Sequence, residues 1–162
     1  MTTSETNNEA GGAEVAEGSP PQWPELDQLV ETIKTRRAEE QARQEEQRSA
    51  AQRAAQDAQK AWAAIDAQAS LEEMAVRLTD LGVVARPAEV IGTQSAALEL
   101  TRLPKGESAT IRVDTTASRN GPPRTTVQVQ RGNQQLSPIT LNSNTIGELR
   151  RTLVEIAQRL LA

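Results

Sequence analysis

The chain contains no cysteine, no histidine, no phenylalanine and no tyrosine, and its aromatics are Trp23 and Trp62 alone. Without cysteine there is no disulfide, no thiolate metal site and no thiol nucleophile. Without histidine the commonest general base and metal ligand is missing, which rules out Ser/His/Asp and Cys/His catalysis and the usual zinc sites. A carboxylate-only hydrolase or a carboxylate-bound magnesium ion is still chemically open, but no DxD-like cluster or close acidic pair falls at a strand end. The sequence therefore predicts a protein that is not an enzyme and that carries neither cofactor nor metal. A core without Phe or Tyr must use Leu, Ile, Val and Ala, each burying less surface at roughly 25 cal/mol per Å². With 36% hydrophobic residues, the 162-residue chain is expected to keep part of its length extended or unstructured.

No apolar run approaches the ~20 residues that a membrane-spanning helix needs. The first residues, MTTSETNNEAGG, lack the basic start and apolar stretch of a signal peptide. The expectation is a soluble, cytoplasmic chain without membrane attachment, or one held within a viral or cellular assembly.

Charge is distributed unevenly behind the net of −4. Residues 1–33 carry Glu5, Glu9, Glu14, Glu17, Glu25, Asp27 and Glu31 and no basic side chain. Residues 34–69 are nearly balanced. Between 100 and 134, Arg102, Lys105, Arg112, Arg119, Arg124 and Arg131 outnumber Glu107 and Asp114.

Residues 1–24, rich in Gly, Ser, Asn, Thr, Glu and Pro, cannot bury enough apolar surface to offset ordering entropy and are expected to form a disordered acidic tail. Trp23, set between Gln22 and Pro24, is either the anchor of a peptide ligand or part of a solubilising segment. From Glu25 the pattern becomes helical, with Leu26, Leu29, Val30 and Ile33 forming an apolar stripe. Residues 34–49 are polar helix formers, with Arg36–Glu40 and Glu39–Arg43 spaced for pairs worth ~0.2–0.5 kcal/mol each. Ala51, Ala55, Ala58, Trp62, Ile65 and Ala69 then repeat at 4,3,4,3,4, the spacing of a coiled-coil seam. Residues 25–69 are accordingly expected to be a helical stalk that self-associates through that seam.

Ser70-Leu71-Glu72-Glu73 has the form of a capping box, predicting a break and a new helix over 71–81 that closes at Gly82. Beyond Gly82 the hydrophobic period changes to two. Alternation predicts strands over about 96–103, 109–114, 125–131 and 135–141, with edge-strand character between Val83 and Gly92. Thr145-Ile146-Gly147-Glu148 is a second capping box, opening a helix over 146–161. The predicted fold is α+β: a long N-terminal helix or coiled coil, then over 70–162 a four-stranded antiparallel sheet packed on one face by two helices.

The strand–strand–strand–strand–helix order over 96–160 resembles PUR-repeat and Whirly-type modules, which bind single-stranded nucleic acid. PITLNSNTIGELRRTLVEIAQRL at 138–160 is similar to the last strand and helix of a PUR repeat. The resemblance implies a nucleic-acid-binding sheet face, for which Arg102, Lys105, Arg112, Arg124, Gln128, Gln130 and Arg131 are the candidate contacts. The departure is that no aromatic is available for base stacking, which is worth ~1–3 kcal/mol per base elsewhere. The same residues equally suit docking of a protein partner or the polar side of a half-exposed sheet. The leading expectation is thus an oligomerising assembly or adaptor protein with a protein partner, and single-stranded nucleic acid is the alternative ligand.

Overall fold

A computed structural model of the chain describes residues 23–86 and 88–162. The acidic tail expected over 1–24 falls outside these apart from Trp23 and Pro24. The architecture is α+β, a long bent helix followed by an antiparallel sheet and a C-terminal helix. Two compact units divide at residue 46, Met1–Glu46 and Gln47–Ala162.

In the first unit the described residues after Trp23 belong to helix α1, Pro24–Ile65, 42 residues long in all. Pro24 suits a first helical position because its missing N–H needs no partner there. Glu25 and Asp27 lie in the first turn, where the helix dipole favours negative charge. Every described residue up to 46 is exposed. The spacings Arg36–Glu40 and Glu39–Arg43 do not close to ion-pair distance among the described residues, whereas Lys34 Nζ lies 3.6 Å from Glu31 Oε1. Solvated pairs of this kind hold so little free energy that they need not stay closed.

The second unit begins within α1, at Gln47, inside the stalk expected over 25–69. Ala58, Ala61 and Ile65 are buried there. The helix then bends at Asp66, whose φ of 45° and ψ of 57° are left-handed, and resumes as α2, Ala67–Thr79. The bend thus falls four residues before the predicted capping box. A cap needs extended backbone at the capping residue, but Ser70 N donates to Asp66 O at 3.0 Å and is already helical. Asp tolerates the left-handed region better than most residues. Gly82, with φ of 85°, closes the far end as expected, and Val83 N donates to Leu78 O at 3.2 Å.

The sheet comprises β1 (Val84–Ala85), β2 (Glu89–Val90), β3 (Ser95–Thr101), β4 (Ala109–Thr116), β5 (Arg124–Arg131), β6 (Gln134–Gln135) and β7 (Ile139–Thr140). Its order among the described residues is β1-β3-β4-β5-β6, with β2 also on β3 and β7 also on β5, every pairing antiparallel. The strand expected over 135–141 appears as two short pieces. Pro138 between them has no N–H to donate, while Leu136 N and Leu141 N still bond to Val129 O and Thr125 O. Register aligns the core-facing residues in rows: Ala96, Val113, Val127 and the partly buried Ile139 in one, Leu98, Ile111 and Val129 in the next.

Helix α3, Ile146–Leu161, is capped by Thr145, whose Oγ1 accepts from Glu148 N at 3.3 Å. Its Leu149, Leu153, Ile156 and Leu160 join Leu71, Met74 and Leu78 of α2 over the buried sheet face. Two helical stripes and one sheet face therefore form a single core. A polar network closes one end of it. Thr115 Oγ1 and Thr125 Oγ1 lie 2.9 Å apart, Thr125 Oγ1 donates to Asn144 Oδ1 at 2.8 Å, and Asn144 Nδ2 donates to Pro123 O at 2.9 Å. This ties the β4–β5 hairpin to the segment that enters α3.

Candidate functional site

Three surfaces hold most of the residues singled out above. The first is the outer sheet face, where strand alternation sends every second side chain away from the core. Ala97, Arg112 and Gln128 form one cross-strand row and Ser95, Asp114, Thr126 and Thr140 the next. Glu99, Thr110, Gln130 and Gln135 form a third. Arg112 Nε lies 3.0 Å from Asp114 Oδ1 and 3.2 Å from Ser95 Oγ. Glu99 Oε2 lies 3.0 Å from Arg86 Nη1.

Among the predicted contacts, Arg112, Gln128 and Gln130 share this face, with Arg124 at its β5 end opposite Thr116. Gln130 Nε2 is directed back onto Gly132 O at 3.3 Å. Arg131 is not with them. It has the parity of Val127 and Val129 and is ion-paired to Glu107. That separation is readable in the sequence, since adjacent strand residues point to opposite faces. Arg102 and Lys105 occupy the turn between β3 and β4 with φ of 58° and 72°. The strands of the face thus bring Arg112 and Arg124 together with Glu99 and Asp114, a balanced surface rather than a basic one. Local excess of Arg and Lys in the sequence did not reveal this, because Glu99 arrives by register and Asp114 lies on the same face of β4 as Arg112.

The second surface is the predicted seam. Ala58 and Ile65 are buried within the second unit, and Trp62 is half-buried against the core, while Ala51, Ala55 and Ala69 are exposed. The 4,3,4,3,4 spacing is real, but half of it is covered by the chain's own fold. A cleft of about 360 Å³ lies between α2 and α3, with Met74, Leu78, Leu153 and Val154 among its lining residues. Glu73 at its rim accepts from Arg77 Nη2 at 3.0 Å and from Arg150 Nη2 at 2.9 Å.

The third surface is the start of α1. Leu26, Leu29, Val30 and Ile33 are between 39% and 53% exposed and Trp23 is 58% exposed, so the stripe has no cover among the described residues. Sequence reasoning found the stripe but assigned self-association to the alanines further on. Exposure was the missing signal.

Among the described residues no three His, Cys, Asp or Glu side chains are grouped to hold a metal ion, and no helix is long and apolar enough to cross a membrane. No protein family, curated protein or solved structure matches the chain.

Proposed function

We propose that the chain is a non-enzymatic assembly or adaptor protein, self-associating through α1 and docking a protein partner on its sheet-containing unit. The observation that carries this reading is the exposed Leu26–Leu29–Val30–Ile33 stripe. Four large aliphatic side chains on one face of a helix lose favourable burial, ~1.5–3 kcal/mol each, unless another surface covers them. The second unit meanwhile has its own complete core, with Leu98, Leu100, Ile111, Val113 and Val127 fully buried. One part is folded and the other is an unfinished contact. The cleft between α2 and α3 and the exposed Val76, Leu81 and Val154 support partner docking on the second unit.

Single-stranded nucleic acid is the second reading. Arg112 beside Gln128 on the outer face favours it, and Glu99 and Asp114 on the same face oppose it, because binding of phosphates rests on net positive charge. Native mass spectrometry of protein purified from its own source, with and without nuclease, tests the two together. Multiples of the chain or a stoichiometric protein partner that survive nuclease are the expected result. Bound nucleic acid, lost on nuclease treatment and on raising salt, reverses the ranking. A bare monomer in both samples contradicts both readings.

A further inference from the structure

We infer that the start of α1 pairs antiparallel with the same segment of a second copy, about a two-fold axis near Val30 and Glu31. The inference rests on the self-association proposed above and adds its partner, its residues and its direction. The apolar centreline of α1 runs through Leu26 and Ile33, with Leu29 and Val30 on either side. At about 100° per residue, Glu25 and Arg36 both fall roughly a quarter-turn to one side of that line, and Asp27 and Lys34 a quarter-turn to the other. Each flank therefore carries one acid near its start and one base about two to three turns later.

Helix pairs bring different flanks together according to direction. In a parallel, in-register pair, one flank meets the opposite flank of the copy. Glu25 then faces Asp27 of the second copy and Arg36 faces Lys34 of the second copy, so like charges meet throughout. In an antiparallel pair, each flank meets its own equivalent. Glu25 then faces Arg36 of the second copy and Asp27 faces Lys34 of the second copy, and symmetry repeats both contacts.

The two opposite-charge pairs share one midpoint, between Val30 and Glu31. The stripe from Leu26 to Ile33 centres within a residue of the same place. Apolar overlap and charge matching thus demand the same register, which neither alone would fix. Among the described residues Glu25, Asp27 and Arg36 form no ion pair of their own, and Lys34 has only the solvent-exposed Glu31 at 3.6 Å. Antiparallel packing also sets each helix dipole against its opposite.

The test uses the full chain, which has no native thiol, so a single Gln44→Cys substitution takes one spin label per copy. Residue 44 lies on the apolar centreline but well beyond the stripe. Antiparallel pairing about Val30 and Glu31 places the two labels ~40 Å apart at 1.5 Å per residue, and in-register parallel pairing brings them within roughly 20 Å. Sedimentation supplies the companion measurement. Glu25→Lys with Asp27→Lys is expected to weaken the dimer about tenfold, and adding Lys34→Glu with Arg36→Glu to restore it to within about threefold. A parallel pair exchanges one set of repulsions for another and responds to neither step. A dimer with the short label distance, or one indifferent to both charge sets, overturns the pairing and leaves self-association standing. A chain monomeric at every attainable concentration overturns both.

Discussion

The two ends of α1 invert the usual link between side-chain size and burial. Its start carries Leu26, Leu29, Val30 and Ile33 and exposes all of them, whereas its end carries mainly alanines and buries Ala58, Ala61 and Ile65. Hydrophobicity supplies the driving force for burial, but only a complementary surface realises it. Ala58, Ala61 and Ile65 have the sheet unit around them, and the described residues before 47 have solvent. Large apolar residues without cover are the feature on which the proposed contact with another chain rests.

The sharpest way to break this contrast is one chemical change made in both units. Ile111→Ala, in the fully buried row with Leu98 and Val129, is expected to cost 2–5 kcal/mol of unfolding free energy, roughly the range for such cavities. Ile33→Ala should stay within about 0.5 kcal/mol in dilute protein, while weakening self-association. Urea unfolding of both variants at low concentration checks this, and equal losses would erase the distinction between the units. Next in size is the polar closure of the hairpin end. Asn144→Ala removes one of the two partners of buried Thr125 and the side-chain donor to Pro123 O, and should cost about 1–3 kcal/mol. An unchanged melting curve would mean that water replaces the amide at no penalty. The smallest effect has the opposite sign. Ser70 is buried inside α2 with Oγ unpaired, so Ser70→Ala should stabilise the second unit by about 0.5–2 kcal/mol. A loss of stability instead would show that the hydroxyl holds a partner in solution.

Much of the second unit is legible in its sequence, because one-face burial leaves a strict signature. Ala109, Ile111 and Val113 alternate with Thr110, Arg112 and Asp114, and β4 forms over them with two further residues. Ile146, Leu149, Leu153, Ile156 and Leu160 repeat at helical spacing behind Thr145, and α3 spans Ile146–Leu161. What escapes pattern reading is whatever depends on how a neighbour, near or far in sequence, is placed in the fold. Ser70 satisfies the local form of a cap, but the helix is already under way because Asp66 takes the bend. The seam from Ala51 to Ala69 has coiled-coil spacing, yet Ala58 and Ile65 find their cover within the same chain. Arg112 counts as a positive charge in the sequence, and Asp114, on the same strand face, offsets it at 3.0 Å. The outer face is a further case: Glu99 joins it only through the pairing of β3 with β4.

Amide hydrogen exchange of the full chain, followed from dilute to concentrated solution, puts the division of labour to its most direct test. Backbone amides of β3, β4 and β5 should be strongly protected at every concentration, and those over residues 25–40 should gain protection as concentration rises. Protection over 25–40 that never changes with concentration would contradict the reading of this stripe as a contact between chains.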